Sequence, residues 1–399
     1  MKFSKLSTIT LNKWAEIDLD AVAHNVKAIN KILDGKSGLM AVVKADAYGH
    51  GAVFVAREIA ECGVGFFGVS SVDEALQLRI HSGVTQDILI LGHTVLNEKN
   101  VNKLIEHNVT QTVFSLEQAV LLSELAGSHT VKAHIKIDTG MNRLGLSWTG
   151  GNKDYETVSA IKKMKNLKKV DFEGIFTHFA ASDDLESSFT GEQLNLFLEL
   201  VRVLERDNIY FKLKHAANSA AIINFKAAHL DFARCGLSLY GLYPSETTRK
   251  IGLVPAMQLK AVISHVHAVR QGETVSYGRT YKAERDIQAA TVPVGYADGF
   301  PRILSNSASI LVNGRRAPVI GRVCMDYCMV DATECGGVRA GDTATVFGRD
   351  NGEFIGVESI ADMAGTINYE TVCQIGKRVP RIYYKGGREI GAFNYIAPQ

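Results

Sequence analysis

The sequence predicts an α/β fold in which an N-terminal (β/α)8 barrel of the TIM type is followed by a mainly β C-terminal domain. From residue 15 to about residue 240, short β-branched runs alternate with amphipathic stretches of about ten to fifteen residues, as in βαβ units. The count of about eight such runs favours a closed parallel barrel over an open doubly wound sheet, which stays an alternative. After Tyr243-Pro244 the long helical periodicity ends.

The candidate strands are short apolar runs that end near polar or glycine residues. Between them lie helical patterns such as DAVAHNVKAINKIL, VDEALQLRIHSG and SLEQAVLLSELAG, most of which open near Asp, Ser or Glu and close near Gly, as helix caps do. The candidate strands, in order, are AEIDL, GLMAVVK, FFGVSS, DILIL, QTVFS, AHIKID and FEGIFTH, followed by the two short runs around KLKHAAN and DFARCGLS.

One glycine pattern in this region imitates a dinucleotide-binding fingerprint. Residues 63–68, GVGFFG, match G-x-G-x-x-G, but they follow a helical pattern and lead into a strand. The fingerprint requires the opposite order, a strand before it and a helix after it. The segment is therefore predicted to be a helix stop followed by a turn.

The second domain is predicted from its alternating pattern. The stretches LVPAMQLKAVISHVHAVRQGETVSYG and APVIGRVCMDYCMVDA alternate apolar with polar residues between glycine-rich turns. We expect a barrel over residues 12–248 and a β-rich domain over residues 249–399, with residues 1–11 packing against the second domain.

Composition narrows the classes of partner. The chain has 399 residues, 46% of them hydrophobic and 22% charged, which suits one large domain and a smaller one. Because 44 basic residues face 42 acidic residues, no basic field indicates a nucleic acid or an anionic membrane surface. We expect a small-molecule substrate.

The N-terminal stretch MKFSKLSTITLNKWAEI lacks the apolar centre of a signal peptide, and no apolar run approaches the roughly 18 residues of a membrane span. A cytoplasmic location is therefore expected. The six cysteines show one C-x3-C pair without a second ligand pair, so we expect reduced thiols and no metal site.

Lys44 closes the second candidate strand, GLMAVVK, at the point where barrel enzymes place their chemistry. Its stem could pack on the strand end while the ammonium reaches water. Alternatively, a lysine in a partly apolar site can lose its proton and form a Schiff base with an aldehyde cofactor. Position alone leaves both readings open.

A phosphate-bearing cofactor such as pyridoxal 5'-phosphate also needs a phosphate cradle, and barrels favour the loops after strands seven and eight for it. Here Asn218-Ser219 opens a helix after KLKHAA, and Arg234-Cys235-Gly236-Leu237 lies at the last strand. Backbone amides and a serine hydroxyl suit a phosphate. The competing interpretation of Asn218-Ser219 is a plain helix cap.

Eight stretches in fixed order resemble the alanine racemases, which are fold-type III pyridoxal-phosphate enzymes. The resemblance covers residues 41–370 and implies a (β/α)8 barrel with a β-domain, working as a head-to-tail homodimer whose sites are each completed by the partner's β-domain. It also implies interconversion of L-alanine and D-alanine, with D-alanine feeding peptidoglycan precursors. The stretches are AVVKADAYGHG, KIDTGMNRLG, HAANSAA, RCGLSLYG, VSYG, VGYADG, GRVCMD and TINYE.

The resemblance implies a cofactor role for each matching residue. Lys44 would hold pyridoxal 5'-phosphate as a Schiff base, and Arg234 would face the pyridine nitrogen. Since guanidinium only donates, that nitrogen would stay unprotonated. His178 would pack on the ring and link Tyr277 to Arg234. The phosphate cradle would contain Tyr48, Asn218, Ser219, the backbone of Gly236 and Leu237, and Tyr369.

The same resemblance implies the catalytic and substrate-binding groups. Lys44 and Tyr277, the latter from the other subunit, would act as two bases on opposite faces of the α-carbon. Arg143 and the backbone amide of the partner's Met325 would bind the substrate carboxylate. Lys136 matches a lysine that many members carry as a carbamate, although a surface charge pair is the competing interpretation. Tyr296 and Tyr281 would line the entrance, with Asp326 near the substrate.

Three alternative functions compete with alanine racemisation. A racemase of the same fold could act on serine or a larger basic amino acid, but such relatives tend to be exported. A pyridoxal-phosphate decarboxylase would need a glycine-rich phosphate loop and an acidic residue where this chain has Arg234. A single-domain cofactor carrier would lack Tyr277 and the whole β-domain.

Overall fold

The computed structural model describes residues 11–151 and 154–396. Its helices are α1 Leu19–Leu33, α2 Lys44–Tyr48, α3 Ala52–Glu61, α4 Val72–Gln77, α5 Glu98–Glu106, α6 Leu116–Leu125, α7 Asp154–Lys165, α8 Phe189–Arg206, α9 Ser219–Asn224, α10 Val357–Ala364 and α11 Asn368–Cys373. None of the helices in these two ranges is long and apolar enough to cross a membrane.

The strands fall into an N-terminal and a C-terminal series. The first series is β1 Lys13–Asp18, β2 Gly38–Val42, β3 Phe66–Val69, β4 Asp87–Ile90, β5 Val109–Val113, β6 Val131–Asp138, β7 Leu146–Ser147, β8 Val170–Phe176, β9 Leu213–His215 and β10 Phe232–Cys235. The second is β11 Met257–Val262, β12 His265–Val269, β13 Thr274–Val275, β14 Tyr281–Lys282, β15 Ile287–Val292, β16 Ser309–Val312, β17 Arg315–Pro318, β18 Cys328–Asp331, β19 Thr343–Asp350, β20 Glu353–Ile355, β21 Arg381–Lys385 and β22 Arg388–Phe393.

The predicted closed barrel is confirmed. Strands β2, β3, β4, β5, β6, β8, β9 and β10 pair in parallel in that order, and β10 returns to β2. Most of these strands are buried along nearly their whole length, as expected where helices cover the outside of a parallel barrel. The predicted order of helix, turn and strand around residues 63–68 is also confirmed, because α3 ends at Glu61 and β3 begins at Phe66.

One candidate strand does not belong to the barrel. The run AEIDL lies in β1, which pairs antiparallel with β11 and parallel with β21. Its burial alternates in part, and Glu16 forms an ion pair with Lys260 of β11 at 2.8 Å. A half-exposed strand suits an open sheet better than a barrel wall. Lys44 therefore follows the first barrel strand, not the second.

Contacts between Cα atoms divide the described chain into two units. Residues 22–47 and 52–254 form the barrel unit, and residues 11–21, 48–51 and 255–396 form the second unit. The expected limits of 12–248 and 249–399 stay predictions. We also expected residues 1–11 to pack against the second domain. Residues 1–10 lie outside the described residues.

The second unit is mainly β, as predicted. Its largest sheet has the order β17-β16-β19-β11-β1-β21-β22, with β20 pairing with β19. A three-stranded sheet contains β12, β15 and β18, and β13 and β14 form a hairpin. Strand β11 alternates buried and half-buried positions, the pattern that the sequence shows in this region.

Candidate active site

The candidate residues lie in both units. In the barrel unit they come from the carboxyl ends of five strands. Lys44 follows β2, Lys136 lies in β6, and His178 follows β8. Asn218 and Ser219 follow β9, and Arg234 lies in β10 with Gly236 and Leu237 after it. The topology of a parallel barrel brings these ends to one rim.

The backbone after Lys44 is left-handed. Ala45, Asp46, Ala47 and Tyr48 have φ values between 52° and 55°, although none is glycine. Each such residue costs roughly 1–2 kcal/mol, so the surrounding contacts must enforce the turn. Ala45 donates its N–H to Glu74 Oε1 at 2.8 Å, and Asp46 Oδ1 accepts from the N–H of Ala52 at 2.7 Å. The turn therefore fixes the backbone from which Lys44 extends.

Lys136, Arg143 and His178 line one small cavity together with Asp138. Asp138 accepts hydrogen bonds from the backbone N–H groups of Gly140, Asn142 and Arg143 at 2.9, 3.0 and 2.9 Å. It thereby shapes the loop that carries Arg143, whose side chain is exposed. Sequence reasoning missed this role, although an aspartate directly before a Thr-Gly turn is a recognised signal for side-chain bonds to backbone.

Lys136 is only 5% exposed, so the alternative of a surface charge pair is wrong for this residue. Burial, with smaller contributions from the nearby cations Arg143 and Arg234, lowers the pKa of its ammonium to about 8. A fraction of the side chain is therefore neutral near pH 7, and a neutral amine is the form that can react with carbon dioxide.

Lys136 makes protein stability depend on pH. The unfolded chain holds this proton up to pH 10.5 and the folded chain only to about 8, so the unfolded state binds more protons between these values. The free energy of unfolding attributable to Lys136 therefore rises as pH increases from about 8 to 10.5, by about 3 kcal/mol. Urea unfolding in carbonate-free buffer at fixed protein concentration should show Lys136→Met more stable than wild type at pH 7, with the difference vanishing near pH 10.5. A difference that is independent of pH would contradict this.

Arg234 is 3% exposed, and both of its Nη atoms donate to neutral acceptors. Its Nη2 donates to the carbonyls of Thr177 and Ala216 at 2.9 and 2.8 Å and to His178 Nδ1 at 3.1 Å. Its Nη1 donates to His215 Nδ1 at 2.8 Å. Within the described residues no acceptor faces Nε. Burial, with a smaller contribution from the charge of Arg143, lowers the pKa of the guanidinium to about 9.

The bond from Arg234 fixes the tautomer of His178. Burial, followed by the charge of Arg234, holds the pKa of His178 well below its usual value, so the ring is neutral. Because a guanidinium can only donate, Nδ1 of His178 is an acceptor and Nε2 carries the hydrogen. His178 therefore presents an N–H donor on the side away from Arg234.

The helix-cap interpretation of Asn218 is confirmed, whereas the phosphate cradle stays a prediction. Asn218 caps α9 by accepting from the N–H of Ala221 at 3.0 Å, and it also accepts from Ser182 Oγ at 2.7 Å. Ser219 Oγ accepts from the N–H of Gly236 at 2.9 Å. The serine hydroxyl and the Gly236-Leu237 backbone thus converge between β9 and β10, while the cap role of Asn218 is structural.

In the second unit, the rings of Tyr48 and Tyr369 lie together, with centroids 6.1 Å apart. The segment that carries Tyr48 is held by Arg381, whose Nε donates to the carbonyl of Gly49 at 3.0 Å. Arg381 is buried and donates to three further carbonyls, those of Gly376, Val379 and Ile375. Sequence reasoning did not identify Arg381, because its partners are isolated backbone oxygens that leave no motif.

Tyr277 is 73% exposed at a turn where Ser276 and Arg279 have φ values of 67° and 51°. Ser276 Oγ donates to the carbonyl of Arg322 at 2.7 Å, which ties this turn to the segment before Met325. The backbone of this turn is therefore fixed, while the Tyr277 side chain is exposed. Tyr281, by contrast, packs against the apolar cluster around Val269 and Ile287.

Met325 lies beside Tyr296, because the N–H groups of Tyr296 and Ala297 donate to the carbonyls of Cys324 and Met325 at 3.0 and 3.1 Å. Both side chains are exposed, by 52% for Met325 and 44% for Tyr296. Across the described ranges, no residue accepts a hydrogen bond from the backbone N–H of Met325. That N–H is therefore available to a ligand.

The loop of Met325 is held by a charged cluster that the sequence did not reveal. Arg378 donates from Nε to the buried carboxylate of Asp298 at 2.6 Å and from Nη2 to Asp326 Oδ1 at 2.6 Å. Lys13 lies 2.9 Å from the same Asp298 carboxylate. Asp298 belongs to the VGYADG motif, so its residue type was visible, but its partners lie at both ends of the chain.

Comparison with known sequences identifies the family. The sequence profile of the alanine racemase N-terminal domain matches residues 17–244, and that of the C-terminal domain matches residues 256–383. The chain belongs to the alanine racemase family. An alanine racemase of Methanococcus maripaludis is 45% identical over 375 residues, covering 93% of this chain and 98% of the relative.

Solved structures of alanine racemases are similar to this chain over nearly its whole length. The enzyme from Bacillus anthracis with bound L-Ala-P superimposes with a TM-score of 0.89 at 37% identity, covering 96% of this chain and 98% of that one. The enzyme of Clostridium difficile 630 in complex with cycloserine gives a TM-score of 0.88 at 36% identity, covering 97% and 100%. The resemblance of the eight motifs is confirmed, and the chain is an amino-acid racemase, an isomerase.

Proposed function

We propose that this alanine racemase family member interconverts L-alanine and D-alanine with pyridoxal 5'-phosphate, through two bases supplied by two copies of the chain. One observation supports the cofactor most directly. Arg234, a buried permanent donor in β10, pairs with Met40 of the strand β2 that leads to Lys44, and no acceptor in the described residues faces its Nε. An amine nucleophile and an unpaired donor on adjacent strands match the two ends of a pyridoxal ring.

The donors at the rim fit the rest of the cofactor. The Ser219 hydroxyl and the Leu237 N–H would donate to a phosphate between β9 and β10, and the Gly236 N–H, which donates to Ser219 Oγ at 2.9 Å, would hold that hydroxyl in place. Tyr48 and Tyr369 would add two uncharged hydroxyl donors. When bound, the cofactor supplies an aldehyde that attaches amino groups and a ring that makes the substrate α-proton more acidic.

Lys44 and Tyr277 would exchange the α-proton on opposite faces of the substrate. A phenol has an ordinary pKa of about 10, so it needs a hydrogen-bond donor to act near neutrality. His178 offers its Nε2–H for this purpose, because Arg234 occupies Nδ1. The hydroxyl that it would meet belongs to Tyr277 from a second copy of the chain.

The exposed side chains of the second unit support a homodimer. Tyr277, Tyr296, Met325 and Tyr327 are between 44% and 73% exposed, and backbone contacts connect their segments. We propose that this surface closes the active site of a second copy, where the Met325 N–H and Arg143 bind the carboxylate. Tyr296 and Tyr281 would narrow the entrance to suit a methyl side chain, with Asp326 near the substrate.

Lys136 would carry a carbamate, whose negative charge orients Arg143 where a bare ammonium would repel it. The enzyme would work in the cytoplasm, and its D-alanine would supply peptidoglycan precursors.

Replacing Tyr277 with phenylalanine tests the two-base assignment. We expect racemisation to fall by about 10²- to 10⁴-fold, because one face of the α-carbon loses its proton carrier. Exchange of the α-proton with solvent deuterium should persist for only one enantiomer, through Lys44. Proton NMR of L-alanine and D-alanine in D₂O, together with optical rotation, measures both rates.

Tyr155→Phe is the matched control, since Tyr155 is also a highly exposed tyrosine, at 71%. It should racemise alanine at the wild-type rate. Wild-type rates in both directions for Tyr277→Phe would refute the two-base assignment. Wild-type protein that acts on L-serine but not on L-alanine would favour the alternative substrate, and protein that acts on neither would refute the proposed function.

A further inference from the structure

A chain of buried polar groups crosses the barrel interior from Arg234. Nη1 of Arg234 lies 2.8 Å from His215 Nδ1, and His215 Nε2 lies 2.8 Å from His134 Nδ1. The carboxylate of Glu173 lies 3.6 Å from His134 Nε2. Both histidines are fully buried, and the side chain of Glu173 is 11% exposed. Three of these four groups have no place in the site described above.

The guanidinium of Arg234 fixes the donor and the acceptor of every hydrogen bond in this series. Arg234 can only donate, so Nδ1 of His215 accepts and Nε2 of His215 carries the hydrogen. That hydrogen meets Nδ1 of His134, so His134 in turn carries its hydrogen on Nε2. The second hydrogen then faces the carboxylate of Glu173, which can only accept. Burial lowers the pKa of both histidines, which agrees with neutral rings.

The surroundings are shaped for two imidazoles. Gly174 pairs with His134 across β6 and β8, and a Cβ at that glycine would lie 2.5 Å from the His134 ring. The ring of Phe176 stacks on His215 with an interplanar angle of 9°, and Phe66 meets His134 edge-on. His134 Nε2 is buried without a hydrogen-bond partner in the described residues, at 3.6 Å from the carboxylate. A small rotation of Glu173 would complete the bond.

This series of hydrogen-bonded groups compensates the buried positive charge of Arg234. The guanidinium is buried, and all of its partners in the described residues are neutral. A buried charge without a counter-charge is costly. Hydrogen bonds in series polarise one another, so the negative charge of Glu173 can act on Arg234 through two imidazoles.

We propose that Glu173, His134 and His215 form a relay of hydrogen bonds with one fixed direction, which orients Arg234 and supplies its counter-charge from the other end of the barrel. Glu173 is then a positioning residue for the group that donates to the cofactor ring. The part of this inference that concerns catalysis rests on the proposed function, whereas the direction of the relay does not.

Neutron diffraction of the deuterated wild-type holoenzyme tests the direction. We expect deuterium on Nε2 and none on Nδ1 in both His134 and His215. Deuterium on Nδ1 of either ring would overturn the relay. This readout needs no activity, so it stands even if the enzyme proves inactive on alanine.

Glu173→Gln tests the counter-charge, because it keeps the shape and an acceptor oxygen while removing the negative charge. We expect kcat for L-alanine to fall about tenfold with KM within about twofold, since Glu173 acts through Arg234 and touches no substrate. The absorption maximum of the bound cofactor should also shift. Unchanged kcat and an unchanged absorption maximum would overturn the proposal, even if neutron diffraction finds the expected tautomers of His134 and His215.

Asp171→Asn is the matched control, since Asp171 lies two residues earlier on the same strand β8 and is exposed. Removing this charge should leave both kcat and the absorption maximum at wild-type values. If Asp171→Asn changes kcat and the absorption maximum as much as Glu173→Gln does, the effect comes from net charge in general, and the relay is overturned. If Glu173→Gln fails to fold, His134→Gln provides the second variant, with the same expected shift in absorption.

Discussion

Lys44→Ala should lower the rate of alanine racemisation by about 10⁴-fold or more, the largest effect expected for any residue of this chain. The substitution removes the amine that is proposed to attach the cofactor and that is also one of the two proposed proton carriers. The left-handed turn after Lys44 is held by Glu74 and by the Asp46 bond to Ala52, so the truncated side chain should leave the backbone in place. Optical rotation of L-alanine solutions with added cofactor measures the loss.

Lys44→Arg separates the nucleophile from the charge. Arginine keeps a cation at the strand end but cannot act as an amine nucleophile, so it should be as inactive as Lys44→Ala. Borohydride treatment of the wild type should fix the cofactor on the peptide that contains Lys44, detected by mass spectrometry, and neither variant should be labelled there. Appreciable racemisation by Lys44→Ala, with folding verified by circular dichroism, would refute the assignment of Lys44.

Asp298→Asn should destabilise the protein by about 3–5 kcal/mol, the cost of removing one partner from a buried ion cluster. The Asp298 side chain is fully buried, and its carboxylate accepts from Lys13, from Arg378 and from the N–H of Gly295 at 2.9 Å. An amide leaves two cations facing a neutral group. Urea unfolding at several protein concentrations measures the change, because any dimer makes the midpoint depend on concentration.

Asp326→Asn is the control for this prediction. Asp326 pairs with the same Arg378 at 2.6 Å, but its side chain is 47% exposed, so its loss should change stability by less than about 1 kcal/mol. If the two substitutions lower the free energy of unfolding equally, burial of Asp298 does not determine how much the cluster contributes to stability.

The closed barrel was predictable because its signal is local. Each barrel strand is an apolar run followed by a helical pattern, and the count of about eight such units leaves few ways to bury both faces of a parallel sheet. The candidate site residues were named from motifs. In the barrel unit most of them lie at strand ends, and the sequence shows a strand end as a change from apolar to polar residues. The prediction failed for β1, since a short alternating run does not say which sheet it joins.

Local sequence could not predict the left-handed turn at residues 45–48, because alanine, aspartate and tyrosine all favour other backbone conformations. It is imposed by groups outside the turn. Arg381 was missed for a related reason, since the carbonyls it binds belong to residues of every type.

The sequence by itself determined the order of strands and helices, the barrel, the mainly β second unit and the position of each motif, because these depend on periodicity within a few residues. Only the tertiary structure decided which charges share a buried environment. Glu173, His134, His215 and Arg234 come from four strands, and Lys13, Asp298 and Arg378 from nearly the whole length of the chain. A buried charge is tolerated only with its partner, and the fold alone brings such partners together.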